Sequence, residues 1–233
     1  MMNFSDAQVQ TDLIYLFDVI GTVIFAVTGG VRGVRLRLDL LGVIVFACTV
    51  GVGGGITRDL LIGFVPVSVF RNEIYLLVCV IAGMIVFFLA PVLRKVRNIV
   101  LVCDAFGLGV FTAIGAAKAA ETGLSFIGIV LSGVITAVGG GVIRDIMSGR
   151  VPAVLTSDFY ATASLLGAIL YWVLNRNDVL PFFWSSLLVM TFVIGIRLLA
   201  IRYHLRLPVS GGTASSILLR RGLKKRPGAP GRG

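Results

Sequence analysis

The sequence predicts an all-α polytopic membrane protein: seven transmembrane helices, in two inverted-topology three-helix repeats plus a seventh helix. Composition, seven apolar runs and one long internal duplication carry that prediction. Of 233 residues, 57% are hydrophobic and only 14% charged, with a mean hydropathy of +1.00. A soluble domain carries about a quarter charged residues, so a water-soluble enzyme does not fit. A span needs about 20 apolar residues to cross a hydrocarbon core about 30 Å thick. The chain has room for seven spans and no separate soluble domain.

Residues 1–12 form a leader with Asp6 and Asp12 and no Lys or Arg. A signal peptide needs a basic n-region, so the first apolar run is read as a retained span. That run, 13–31, is interrupted only by Asp18. The second and third, 40–57 and 74–93, are uncharged and complete the first three-helix repeat, 13–93. The fourth, 98–117, holds one charge, Asp104. With 122–143 and 159–175 it forms the second repeat, 98–175. A last run, 179–196, lies in a seventh helix assigned to 179–201.

Charge sets the orientation. Arg32, Arg35 and Arg37 oppose Asp39 between spans one and two, and Arg94, Lys95 and Arg97 are unopposed between three and four. The tail, 202–233, is basic and acid-free, and its composition is too poor in apolar mass to fold. The alternate connections are near neutral: Arg71 with Glu73, Lys118 with Glu121, Arg176 with Asp178. The positive-inside rule places the N-terminus outside and the C-terminus in the cytoplasm. The net charge of +10 is thereby assigned to topology and to anionic headgroups, and no nucleic-acid partner is expected. Arg197, near the cytoplasmic end of span seven, is expected to snorkel.

The duplication has a constant offset of 86 residues, the interval from Asp18 to Asp104. At that offset Gly21, Phe25 and Gly29 match Gly107, Phe111 and Gly115, and Arg32 matches Lys118. Gly53, Gly54 and Gly55 match Gly139, Gly140 and Gly141; Arg58 and Asp59 match Arg144 and Asp145. Gly63, Val65 and Pro66 match Gly149, Val151 and Pro152. Three spans are an odd number, so the second copy enters the membrane inverted. Inverted repeats place their functional site near the midplane, on discontinuous helices.

Each glycine triplet interrupts a span, and glycine costs roughly 1 kcal/mol against alanine inside a helix. Two readings follow: a kink that opens backbone to a pathway, or close helix packing by small residues. Asp18, Arg58, Asp59, Asp104, Lys118, Arg144 and Asp145 lie within or at the ends of apolar runs, where charge faces the bundle interior or a water path. Adjacent helical residues point to different faces. Arg58 is therefore expected to pair with Asp104, and Arg144 with Asp18.

No enzyme is indicated. The G-x-G-x-x-G pattern fails at Ile56, and the body of the chain has no histidine. Cys48, Cys79 and Cys103 lack metal-site spacing and read as small buried hydrophobes, while His204 falls in the basic tail. No cofactor and no resident metal are expected.

Two three-helix repeats, each with GGGxxRD followed by GxVP, and a seventh helix resemble the prokaryotic members of the TRIC family, the trimeric intracellular cation channels. The resemblance covers about residues 13–200. It implies a homotrimer with a pore in each protomer, conducting monovalent cations with potassium the physiological one, in the plasma membrane and in contact with its lipids. It places the pore at glycine-kinked helices two and five, here Gly53–Gly55 and Gly139–Gly141 with the charges beside them. It makes Lys118 the counterpart of a basic residue implicated in gating or lipid contact. Bacterial relatives also carry the label of a glycine transporter domain. A secondary transporter of a small zwitterion is the alternative.

Overall fold

Each of the seven apolar runs is helical in the computed structural model, which describes residues 4–93, 98–156, 159–177 and 179–203. The basic loop Arg94, Lys95 and Arg97, together with Asp178, His204 and the tail beyond it, lies outside the described residues. In chain order the helices are α1 (Phe4–Arg35), α2 (Leu40–Leu61), α3 (Ser68–Arg71), α4 (Ile74–Phe88) and α5 (Ala90–Leu93). They continue as α6 (Ile99–Glu121), α7 (Phe126–Met147), α8 (Ala153–Thr156), α9 (Ala161–Arg176) and α10 (Phe182–Tyr203). No strand occurs among the described residues.

Five of these, α1, α2, α6, α7 and α10, are long and apolar enough to cross a membrane. The expected third and sixth spans are shorter, at 15 residues in α4 and 16 in α9. At 1.5 Å per residue α4 rises about 22 Å, less than a full hydrocarbon core. The third run is not one helix over 74–93. Pro91 cannot donate to the backbone and disfavours helix before it, so α4 stops at Phe88 and a single turn, α5, follows Leu89. The fifth starts at Phe126 rather than near Thr122, because Gly123 takes φ +72° and closes α6. The sixth starts at Ala161, after Phe159 at φ 55°.

The two triplets are related by a local pseudo-twofold axis, visible in reciprocal contacts. A Cβ placed on Gly21 would meet the Phe111 ring, and one on Gly107 the Phe25 ring; these are equivalent positions with roles exchanged. Phe25 and Phe111 stack on each other, centroids 5.3 Å apart and planes 9° apart. In α2 and α7, a Cβ on Gly54 would lie 2.5 Å from the Thr136 carbonyl oxygen, and one on Gly140 2.6 Å from that of Val50. Such isologous exchange is what a twofold operator produces. The crossing contacts pair an earlier residue of one copy with a later residue of the other, so the copies run antiparallel. α1 packs on α6 and α2 on α7 across this axis, while α4 and α9 each close their own triplet. α10 lies against α6 and α9. Outward faces are apolar: the equivalent Leu41 and Ile127 are 68% and 65% exposed.

The glycine triplets do not break their helices. α2 and α7 run uninterrupted through Gly53–Gly55 and Gly139–Gly141. Backbone packs on backbone at Gly54 and Gly140, closer than any side chain allows, so the small-residue packing alternative holds at these positions. Gly53 and Gly139 face Ile143 and Gly54 across the same crossing.

Gly54→Ala is accordingly expected to force α2 from α7 and cost about 1–3 kcal/mol, the usual scale of overpacking. Gly55→Ala, whose new methyl would find its nearest contact at 3.7 Å on Arg58, is expected to be tolerated. Thermal unfolding of the two variants in detergent checks this; equal melting temperatures would remove the backbone-contact explanation.

Candidate functional site

Two buried ion clusters sit at opposite ends of the bundle, one per repeat. Their origin is local. Arg58 and Arg144 each occupy the last turn of their helix, where a cation also complements the helix dipole. The neighbouring first helix of the same repeat supplies an aspartate at the same level.

In the first cluster Arg58 grips Asp18 with both ends of its fork, Nη1 to Oδ1 at 2.9 Å and Nη2 to Oδ2 at 3.1 Å. Arg58 Nε donates to Asp59 Oδ1 at 2.9 Å. The second oxygen of Asp59 accepts the backbone N–H of Ser68 at 2.7 Å and so holds the start of α3. Tyr75 donates its hydroxyl to Asp18 at 3.2 Å. Lys118 crosses from the other repeat and places Nζ 2.8 Å from Asp18 Oδ2 and 3.3 Å from the Ser68 hydroxyl.

The second cluster repeats the plan. Arg144 Nη1 donates to Asp104 at 2.6 Å and Nε to Asp145 at 3.1 Å. Asp145 Oδ2 accepts the N–H of Ala153, at the start of α8, at 2.9 Å. Thr28 receives a longer bond from Arg144, 3.4 Å. The RD pair and the downstream VP are thus one unit: arginine ties the helix end to the repeat's first helix, and aspartate ties it to the next turn.

Two expectations are corrected here. Arg58 does not pair with Asp104, nor Arg144 with Asp18; each arginine bonds within its own repeat. Antiparallel copies put the two last turns at opposite ends, too far apart to exchange partners. An arginine side chain is also long enough to fold back onto the adjacent aspartate, which the rule of diverging faces overlooks. Arg197 does not snorkel. It is 2% exposed and its guanidinium lies over the Tyr160 ring, 4.8 Å from the centroid, with Asp104 among the charges that act on it.

The third glycine of each triplet has its own role. A Cβ on Gly55 would stand 3.7 Å from Arg58 Nη2; on Gly141 it would stand 2.6 Å from the Tyr160 hydroxyl and 3.7 Å from Arg144 Nη2. Gly141 thus leaves room for the second cluster, whereas at Gly55 a methyl would make only ordinary contact. Among the cysteines Cys79 is buried, whereas Cys48 and Cys103 are half-buried. Tyr75, Ser68, Thr28, Ser148 and Tyr160 join the clusters without any signal in the sequence: a lone hydroxyl near a charged motif is too common to select.

A cavity of about 350 Å³ leads to the first cluster, with Tyr15, Ser68, Asn72, Tyr75, Lys118 and Glu121 in its wall. Beneath it, around Asp18, Thr22, Gly55 and Arg58, free space falls to about 10 Å³. That is room for about one water. Lys118 lines the larger cavity while its ammonium bonds Asp18, which lines the smaller one. No group of acidic, histidine or cysteine side chains suited to a metal occurs among the described residues.

Removing one member of a buried pair leaves the other uncompensated, typically at about 3–5 kcal/mol. A double-mutant cycle of Arg58→Ala with Asp18→Ala is expected to show strong coupling in thermal unfolding, and a cycle with Asp104→Ala almost none. Coupling of equal size in both cycles would contradict the within-repeat pairing.

A family model described as "Glycine transporter" matches the chain twice, over residues 15–91 and 101–176. The UPF0126 inner membrane protein YadS of Escherichia coli (strain K12) is 36% identical over 197 residues, 84% of this chain and 95% of that protein. A UPF0126 membrane protein of Vibrio cholerae serotype O1 is 38% identical over 211 residues, covering 88% and 85%. Among solved structures, the TRIC trimeric intracellular cation channel orthologue from Rhodobacter sphaeroides matches with a TM-score of 0.79 at 32% identity, over 83% of this chain and 99% of that one. A structure described as the basis for conductance through TRIC cation channels matches at 0.77 and 35% identity, over 85% and 98%. A trimeric intracellular cation channel from C. elegans shares the fold at 0.59 and 17% identity, over 85% and 99%. With the duplicated model covering most of the helical body, and with these relatives matched almost end to end, this multi-pass membrane protein belongs to the TRIC family.

Proposed function

We propose that this chain is a monovalent cation channel, permeable to potassium, that assembles as a homotrimer with a pore in each protomer. The observation that carries the reading is the vestibule walled by Lys118, whose ammonium bonds Asp18, in a chain similar to solved TRIC cation channels over more than four-fifths of its length. The pathway runs between α1, α2, α6 and α7. Its charged walls are Asp18, Arg58 and Asp59 at one end and Asp104, Arg144 and Asp145 at the other. Gly53–Gly55 and Gly139–Gly141 form the crossing between them, where the absence of side chains keeps the constriction narrow and backbone-lined. Such clusters are costly in hydrocarbon and belong beside a water path.

Lys118 is the gate. Its ammonium occupies the Asp18 carboxylate at 2.8 Å, where a permeating cation would otherwise find its acceptor. Opening requires Lys118 to leave Asp18 and α2 to part from α7 at the Gly54–Gly140 crossing. The protein is placed in the plasma membrane, in keeping with a relative named as an inner membrane protein. The N-terminus lies outside and the C-terminus inside. The domain division into residues 13–93, 98–175 and a seventh helix follows the same reading, with α4 and α9 as short third crossings.

The second reading, a secondary transporter of glycine or another small zwitterion, is favoured by the description of the matching family model. Asp18 beside Arg58 and Lys118 also offers both signs of charge. Purified protein in a planar bilayer is expected to show single-channel potassium currents, with Lys118→Gln raising the open fraction. Saturable glycine counterflow in liposomes, without such currents, would reverse the two readings.

Orientation is checked separately. Reporter fusions after Arg226 are expected to be cytoplasmic and fusions within residues 71–73 external. The opposite pattern at both sites would invert the proposed topology.

A further inference from the structure

The second ion cluster departs from the first in one respect, and the departure is a charge. Lys118 ends on the carboxylate of Asp18. Arg32 is the equivalent residue at the 86-residue offset, yet it does not reach Asp104. Asp104 is bonded by Arg144, and Arg197 of α10, a helix with no counterpart in the other repeat, lies nearby over the Tyr160 ring. Arg32 instead donates Nε to the Ser148 hydroxyl at 2.8 Å. That hydroxyl in turn donates to the Arg144 carbonyl at 2.6 Å.

One arm of the Arg32 fork, Nη2, is buried and has no hydrogen-bond partner. Arg32 as a whole is only 8% exposed. No carboxylate lies within ion-pair distance of it among the described residues. The charges that act on it are those of Arg150, Asp145, Arg144 and Arg35, three of them cationic. The one acid, Asp145, is already engaged by Arg144 Nε at 3.1 Å and by the Ala153 N–H at 2.9 Å. Arg150, exposed on the turn after α7, stands where the other repeat has Phe64. Burying a guanidinium donor among like charges is unfavourable unless an anion completes it. The planar fork of arginine matches the oxygens of a phosphate.

We propose that Arg32, with Arg150 at its rim and Ser148 beneath it, is a binding site for a phosphate group at the α1–α7 end of the bundle. The phosphate oxygens accept from Arg32 Nη2 and from the Arg150 guanidinium. Under the proposed orientation this end faces the cytoplasm. Two sources share the chemistry: free inorganic phosphate and the phosphomonoester headgroup of phosphatidate. The site uses neither Lys118 nor the vestibule, and it stands whether the protein conducts cations or carries a zwitterion.

Full-length protein in phosphatidylcholine nanodiscs would be melted while inorganic phosphate is titrated at constant ionic strength, and separately with phosphatidate replacing part of the lipid. A saturable rise in melting temperature is expected with at least one probe, and which probe acts identifies the source. Losing one charge-assisted hydrogen-bonding partner should weaken the apparent affinity about tenfold in Arg32→Gln and in Arg150→Gln. Lys118→Gln should leave it unchanged. Arg150 is exposed, so its variant remains informative if Arg32→Gln does not fold. No saturable shift with either probe, or a shift that persists undiminished in Arg150→Gln, would overturn the proposal.

Discussion

Charge buried in a hydrocarbon-spanning bundle is the constraint on which the remainder of this structure depends. Asp18, Arg58 and Asp59, and their equivalents Asp104, Arg144 and Asp145, are almost wholly withdrawn from solvent. Each must be answered within hydrogen-bonding reach, because a buried charge left without a partner is costly. That requirement fixes the level at which the first and second helices of each repeat meet. It also explains why an aspartate follows the arginine: one carboxylate oxygen serves the guanidinium and the other starts the next helical turn.

The glycines serve the same end by a different route. Two antiparallel helices cross in backbone contact at Gly54 and Gly140, which brings the two repeats together around the Phe25–Phe111 stack. The third glycine of the second triplet, Gly141, gives its space to the Tyr160 hydroxyl. A motif of seven residues thus combines helix crossing, a cavity for an ion cluster and a cap for the following turn. Its recurrence at both ends makes the body of the protein a pseudo-twofold object. Lys118 and Arg197, which have different partners at the two ends, break the symmetry.

That asymmetry is where function is expected to reside. At one end a cation from the opposite repeat, Lys118, lines the vestibule and bonds the Asp18 carboxylate. At the other, Arg32 reaches Ser148 rather than Asp104, and Arg197 of α10 lies over the Tyr160 ring. A duplicated fold with identical ends would present the same environment to both sides of the membrane. Helix α10, lying outside the duplication, packs mainly on α6 and α9 and so distinguishes the two repeats.

The sequence by itself determined the helical membrane class, the seven apolar runs, the 86-residue duplication and the charged residues that would have to be buried. Those follow from composition and periodicity, which act one residue at a time. It also singled out Arg58, Asp59, Arg144 and Asp145, because charge inside an apolar run is conspicuous without any fold. Only the tertiary structure decided who pairs with whom. Partner choice depends on the crossing and polarity of helices, and a local rule about adjacent helical faces pointed to the wrong repeat. Tertiary contacts also brought Gly54 and Gly140 into backbone contact, which depends on how two distant helices cross. Burial of Arg197 was likewise out of reach: whether a basic residue near a span end snorkels or turns inward depends on what its neighbours, here Tyr160 and Asp104, offer in return.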